Sequence, residues 1–234
     1  MTNSSKLFHK VKQANLKYGL ITNGDRVAVG LSGGKDSLVL LYALRLLQNF
    51  TPLEFNFVAC TIDLGHGADY RPLVEYCARE DIPLVLEPTN IGRVVFVERR
   101  EKSPCSLCAN LRRGALNRVA MKHGCNKVAL AHHLDDAVVT FLMSMAFEGQ
   151  CRCFHPKTYL DRTGLTVIRP LVYVPEKNII SLCRQLSLPV VVNPCPASGK
   201  TKRQVIQDWL ASLEKEHPRV KQHFLTAIEK SLWT

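Results

Sequence analysis

The sequence predicts an α/β protein, a doubly wound five-stranded parallel sheet followed by a helical C-terminal extension. Short β-branched apolar runs alternate along the chain with segments whose apolar residues recur at helical spacing, the pattern of parallel α/β units. The first run, Arg26 to Leu31, leads directly into SGGKDS and then LVLLYALRLLQ, which reads as strand, glycine turn and helix. No internal repeat, low-complexity tract or obvious linker interrupts the order.

The remaining elements follow in turn. A second strand is expected over Glu54 to Asp63, a helix over DYRPLVEYCARE and a third strand over Ile82 to Pro88. After the charged stretch VERREKSPCSLC, the segment ANLRRGALNRVAMKHG reads as a helix ending at Gly124, and Lys127 to His133 as a fourth strand. LDDAVVTFLMSMAFEG is helical, TVIRPL is the fifth strand, and PEKNIISLCRQL is a helix with Pro175 near its start. The short LPVVVN segment leads into NPCPASGKTKR, a loop by its proline and glycine content, and the tail reads as two helices parted near Pro218. The division this suggests is a catalytic domain over residues 1–190 and an extension over 191–234.

The 234 residues suffice for a full core, and 31 basic against 20 acidic side chains give a net charge of +11. That balance favours a polyanionic partner such as nucleic acid, although a basic, merely solvated surface has the same composition. The opening MTNSSKLFHKVKQANLKYGL has dispersed charges and no apolar core or cleavage site, and no apolar run is long enough to cross a bilayer. A cytoplasmic, membrane-free protein is therefore expected. In that reducing setting nine cysteines point to metal or redox chemistry and not to a disulfide framework.

Ser32, Gly33, Gly34, Lys35, Asp36 and Ser37 sit where a strand gives way to a helix, so backbone N–H groups and the helix dipole can cradle phosphate. The glycines allow close approach of an anion, and the serine hydroxyls and the lysine ammonium add donors. A Walker loop is excluded, because it needs glycine at Val29 and Ser or Thr at Asp36. Asp63 closes the second strand, while His132, His133, Asp135 and Asp136 follow the fourth, all at the sheet edge where such folds bind ligands. Paired carboxylates beside a triphosphate suit Mg²⁺, and one of the two is equally suited to cap the helix that follows.

Cys105 and Cys108 form a Cys-x-x-Cys pair at the start of a helix, near Arg112 and Arg113, where thiolates are favoured. On its own the pair fits half a zinc site, a redox dithiol or the corner of an iron–sulfur cluster. Cys195 lies in Asn-Pro-Cys-Pro, a loop pinned by two prolines, and Cys151 and Cys153 form a tighter pair. Cys60, Cys77, Cys125 and Cys183 fall in strands, helices or helix ends, where free cysteine behaves as a small buried hydrophobe.

SGGKDS after the first strand resembles the signature of the PP-loop ATP pyrophosphatases, whose fold is of the adenine nucleotide alpha hydrolase-like (HUP) type. With Cys105, Cys108 and Cys195 added, the chain resembles the tRNA 2-thiocytidine synthetases, the TtcA family. The likeness runs from NGDRVAVGLSGGKDS through PCSLCANLRRG, ALAHHLDDAVVTFLMSM and VIRPLVYVPEKNI to RQVIQDWL, nearly the whole chain. It implies that ATP is cleaved between its α and β phosphates, that a base oxygen is adenylylated, and that sulfur then replaces that oxygen at carbon 2 of an anticodon-loop cytidine, position 32. With this chemistry, ATP and Mg²⁺ are expected at Ser32 to Ser37 with Asp63 and His132, and catalytic roles are expected of Lys35, Asp36, Asp135 and Asp136. The resemblance further implies a [4Fe-4S] cluster on Cys105, Cys108 and Cys195 with one iron lacking a protein ligand, tRNA as partner, and a cysteine desulfurase or other persulfide or sulfide donor.

Two departures stand out. Family members often carry another cysteine shortly before the position of Cys195, where this chain has Val192, Asn193 and Pro194. Cys151 and Cys153 lie where the family tends to have a basic, glycine-containing loop, and would relay sulfur, supply a fourth ligand, or do neither. Basic residues gather on both sides of the proposed cluster. Seven lie between Glu98 and Lys122 against two acidic ones, and Lys200, Lys202 and Arg203 follow Cys195. Arg112, Arg113, Lys200, Lys202 and Arg203 are thus the candidate RNA contacts, with recognition by shape and by an unstacked base because aromatic residues are sparse. The competing functions are thiolation of a tRNA uridine or a small molecule on the same machinery, and a non-catalytic zinc or RNA-binding module. The oligomeric state stays open, a homodimer included.

Overall fold

A computed structural model describes residues 2–99, 104–191, 194–195 and 202–233. Helix α1 (Asn3–Tyr18) precedes β1 (Arg26–Gly30), α2 (Lys35–Phe50), β2 (Asn56–Asp63), α3 (Arg71–Arg79) and β3 (Leu84–Pro88). A single turn, α4 (Ile91–Arg93), runs into a π-helical stretch at Val94–Arg99. Then come α5 (Pro104–Lys122), β4 (Lys127–Ala129), α6 (Leu134–Glu148), β5 (Lys157–Leu160), β6 (Leu165–Ile168), α7 (Glu176–Gln185), α8 (Lys202–Glu216) and α9 (Val220–Leu232).

The sheet has the order β3-β2-β1-β4-β6-β5. Five strands are parallel, as the sequence predicts; the sixth, β5, adds antiparallel to β6 at the edge, with Lys157 opposite Ile168. That hairpin turns through Gly164, whose φ of +67° suits glycine. The chain order reverses on either side of β1, so the switch point lies between β1 and β4 and opens a crevice at their C-terminal ends.

Strand periodicity divides the core. Val27 and Val29 of β1 face a large apolar cluster that includes residues of α1, α2, α3, α6, α7, α8 and α9. Ala28 faces the other side, where Ala115, Leu116, Val119 and Ala120 of α5 pack with Val95. The extension is built into the main core: Ile206, Leu210, Leu225 and Ile228 are buried there. Glu229 of α9 also accepts hydrogen bonds from Lys17 Nζ at 2.7 Å, from Tyr18 Oη at 3.0 Å and from Tyr173 Oη. Among the described residues no helix is long and apolar enough to cross a membrane.

At the end of the sheet away from the crevice, Lys127 Nζ lies 2.6 Å from Asp25 Oδ2 with both side chains buried, and also donates to Leu20 O. Burial by itself raises the Asp25 pKa, but hydrogen bonds from Lys127, Thr22 and Asn126 outweigh it and hold the carboxyl below its ordinary 3.8. A depressed folded-state pKa gives stability that is complete above the ordinary carboxylate range and lost as pH falls through the folded value. Lys127→Met strands the Asp25 charge and is expected to cost about 3–5 kcal/mol, read as a lowered urea midpoint at pH 7, with a smaller deficit in strong acid.

Candidate active site

β1 delivers the chain into the crevice, and the turn that follows is shaped by Gly33. Its φ is +85°, which strains any side chain, and an added Cβ would crowd Val191 Cβ at 3.0 Å. No side chain caps the N-terminus of α2, which begins directly after Gly34. Ser37 Oγ donates to Gly34 O at 2.8 Å and Ser32 Oγ to Ser37 Oγ at 3.2 Å, which holds the turn in a ring of its own hydroxyls. First-turn N–H groups of a 16-residue helix, left uncapped beside two glycines, form an oxyanion and phosphate cradle.

A cleft of about 440 Å³ lies against this turn, lined by Ser32, Asp36 and Ser37. The opposite side is supplied by α5, through Ala109, Arg112, Arg113 and Leu116. Cys105, Cys108, Ala109, Arg112 and Leu116 follow helical i, i+3, i+4 spacing, so the cysteines continue the stripe that faces the cleft. At 1.5 Å of rise per residue, Cys108 is roughly 6 Å along the axis from Arg112. Only the second half of α5 is buried on the sheet, so its cysteine-bearing first half is exposed or partly so.

Cys195 reaches the same neighbourhood from the other direction. Val191 N donates to Gly33 O at 2.9 Å, which fastens the segment leading to Cys195 onto the phosphate turn itself. Burial raises the Cys108 pKa, Arg112 opposes the shift, and the charges of both Cys195 and Cys105 add to it. The three sulfurs are therefore electrostatic neighbours. Cys105 and Cys195 are exposed and Cys108 is partly so. Among the described residues no three His, Cys, Asp or Glu side chains close on a point as ligands of one metal ion would.

The adjacent aspartates separate. Asp136 lines the cleft, accepts from His133 N at 3.0 Å and is ion-paired with Arg203. Asp135 turns away, contrary to the catalytic role expected of it. It accepts from Glu176 N at 2.7 Å, so it caps α7 and not its own helix, and it pairs with Lys221 at 2.8 Å. Its surroundings are a second cavity of about 190 Å³ that it shares with Pro175, Glu176 and Lys221. Buried His133 places Nε2 3.8 Å from Asp36 Oδ1 and 3.3 Å from Asp136 Oδ2, so both cleft carboxylates stand around one imidazole. Asp36 Oδ1 is buried without a hydrogen bond, its nearest cation being Lys35 at 3.2 Å.

Other expected residues are placed differently from the sequence reading. Lys35 is paired with Glu176 at 2.9 Å as well as with Asp36. Asp63 accepts from Gly65 N at 2.9 Å and is not part of the cleft lining, although Ile62 and Leu64 on either side are. Arg203, expected at RNA, is drawn inward to Asp136, while Lys202 is exposed over the Phe147 ring. Lys200 lies outside the described residues. His132 lines the cleft, its pKa lowered to about 4 first by burial and then by Arg169. Cys153 donates to Ala137 O and burial pushes its thiol up to about 12, a poor state for a ligand or sulfur relay; Cys151 is exposed. Cys60, Cys77, Cys125 and Cys183 are buried. Sequence reasoning passed over Arg169 and Phe154, which line the cleft from the β6 side.

A family model for the PP-loop domain matches residues 3–213. This chain belongs to the PP-loop family. A tRNA-cytidine(32) 2-sulfurtransferase of Citrifermentans bemidjiense is 39% identical over 228 residues, spanning 96% of this chain and 89% of that protein. One of the same name from Geobacter sulfurreducens is 41% identical over 227 residues, spanning 95% and 88%. The solved structure of the U34-tRNA thiolase NcsA from Methanococcus maripaludis with its [4Fe-4S] cluster superposes with a TM-score of 0.79 at 28% identity, covering 97% of this chain and 77% of that one. Ser32, Asp36 and Ser37 of the glycine turn line the cleft on one side and α5 lines it on the other.

The split between the aspartates is testable. Asp135→Ala removes a buried helix cap and ion pair, and is expected to cost about 3–5 kcal/mol of stability while magnesium-dependent ATP binding persists in the folded fraction. Asp136→Asn is expected to leave the unfolding midpoint within about 1 kcal/mol and to weaken Mg-ATP binding at least tenfold by calorimetry.

Proposed function

We propose that this chain is an ATP-dependent tRNA sulfurtransferase that activates a cytidine of the anticodon loop, position 32, and exchanges its carbon-2 oxygen for sulfur. The observation that carries this reading is one cleft with an uncapped helix N-terminus for phosphate on one side and, on the other, helix α5, whose lining residues Ala109 and Arg112 continue at helical spacing into Cys108 and Cys105. The sulfurtransferase relatives supply the base and position, and NcsA supplies the precedent of a cluster on this fold.

The PP-loop holds the triphosphate by backbone N–H groups and by Ser32 and Ser37. Asp36 and Asp136 are the residues that would hold Mg²⁺; the buried, unbonded Asp36 Oδ1 fits a cation, and the ion would neutralise charge on the phosphates. The base oxygen uses a lone pair to bond the α phosphorus, and the bond from that phosphorus to the bridging oxygen breaks with its electrons leaving on pyrophosphate. A poor leaving group has thereby become a good one. A sulfide-level sulfur adds to carbon 2, and AMP departs with the carbon–oxygen electron pair. Cys105, Cys108 and Cys195 would hold a [4Fe-4S] cluster, which when bound supplies a soft site for the incoming sulfur. Arg112 and Arg113 line the cleft and are exposed, which supports a role in holding RNA phosphate.

Nucleoside analysis of tRNA from cells lacking this chain is expected to show loss of 2-thiocytidine, restored by the wild type but not by Cys195→Ala or Asp36→Ala. An unchanged 2-thiocytidine content with loss of a 2-thiouridine would move the activity to a uridine instead. Arg112→Ala with Arg113→Ala is expected to weaken tRNA binding about tenfold and to reduce its salt dependence, read from binding isotherms at two salt concentrations.

A further inference from the structure

Three arginines line the nucleotide cleft, Arg112 and Arg113 exposed on α5 and Arg169 partly buried beyond β6, while the cations just behind it are matched by carboxylates. Lys35 is paired with Asp36 and Glu176, and Arg203 with Asp136. Arg169 also lines the cleft, yet it makes no ion pair among the described residues. A guanidinium in a partly buried site without a counter-charge is unfavourable unless an anion arrives to complete it.

The site is built to hold that guanidinium in one orientation. β4 and β6 pair in parallel register, Ala129 opposite Ile168, so Arg169 and the segment leading to His132 leave the sheet side by side. Arg169 Nη1 donates to His155 O at 2.6 Å, Nε donates to His132 Nδ1 at 3.3 Å, and the guanidinium carbon lies 4.9 Å from the centre of the Phe154 ring. These contacts leave Nη2 without a protein partner among the described residues. They also fix His132: because Nδ1 accepts from Arg169, the neutral ring carries its proton on Nε2. Arg169 Nη2 and His132 Nε2 are thus two N–H donors available on the cleft wall, His132 one strand and Arg169 two strands away from the turn after β1.

We propose that Arg169, with His132, is an anion clamp for the α phosphate of ATP and of the adenylylated base, so that Arg169 is a further catalytic residue of adenylyl transfer. A base carbonyl is neutral and would leave the guanidinium uncompensated, which is why phosphate is the matching ligand. Two strand spacings, roughly 10 Å, are the scale of a triphosphate bound at the turn with its α phosphate directed towards β6. During transfer the clamp receives the charge on the non-bridging α-phosphate oxygens while the bond to the base oxygen forms and the bond to pyrophosphate breaks. This assignment deepens the proposed adenylylation and rests on it.

The test compares AMP with adenosine, two ligands that differ only by the α phosphate, on the full chain by calorimetry. Wild type is expected to bind AMP about tenfold to a hundredfold tighter than adenosine, and Arg169→Gln to bring that ratio close to one while tRNA affinity stays within about threefold. Arg169→Lys keeps the charge but loses the fork, and is expected to reduce the ratio several-fold; it supplies the answer if Arg169→Gln lowers the unfolding midpoint. In tRNA-dependent pyrophosphate release, Arg169→Gln is expected to lower kcat by roughly 10²–10³ with little change in KM for tRNA. An unchanged AMP-to-adenosine ratio overturns the clamp, as does weakened tRNA binding with kcat preserved, which would assign Arg169 to the RNA backbone. The nucleotide ratio is measured without sulfur transfer, so a wild type that binds AMP through Arg169 but forms no thiolated base would refute the proposed reaction and leave the clamp standing.

Discussion

Gly33 carries a double obligation in this fold. Its positive φ bends the chain so that the N-terminus of α2 faces the cleft, and its carbonyl receives the N–H of Val191, four residues ahead of Cys195. Val191 packs so closely over Gly33 that an added Cβ would crowd it, so the glycine turn and the segment ahead of the third cysteine are one packed unit. The rest of the site depends on that contact. It places Cys195 where Cys108 feels its charge, at the exposed end of a helix whose other end is anchored in the sheet.

Around this unit the protein sorts its charges by depth. Asp135 is spent on architecture, tying α6 to the start of α7 and to Lys221 of α9. Asp136, one residue on, stays at the cleft, and with Asp36 it surrounds His133. Consecutive helical residues point about 100° apart, so neighbours of identical chemistry can serve the core and the site separately. Arg203 has the same logic in reverse: from the extension it reaches inward to Asp136, so α8 contributes to the nucleotide cleft and is more than an appended RNA grip. The burial of Ile206, Leu210, Leu225 and Ile228 in the common core makes the same point about residues 191–234.

Much of this was legible in the sequence. β-branched runs and helical periodicities are strong signals when both faces of a strand are buried, and the five parallel strands are of that kind. The glycine turn and the Cys-x-x-Cys pair were readable because their chemistry is local. β5 was missed because it is a four-residue edge strand, partly exposed along its length and carrying no apolar run. Helix α1, with Leu7, Val11 and Ala14 buried on one face, has an apolar period that dispersed lysines partly mask. Which aspartate faces the cleft depends on packing against α7 and α9, distant in sequence, and composition cannot supply it. Arg169 was hidden for the same reason: in VIRPL it reads as the end of a strand, and its meaning comes from the register that sets it beside His132.

The central claim is that phosphate and cysteine chemistry share one cleft. Its most direct test is a structure of the anaerobically reconstituted chain with a non-hydrolysable ATP analogue, phased or mapped with iron anomalous scattering. The account predicts iron density held by Cys105, Cys108 and Cys195, open to the same cleft as the analogue's α phosphate. A single metal ion at these cysteines, or iron density separated from the nucleotide by the body of the protein, would contradict it.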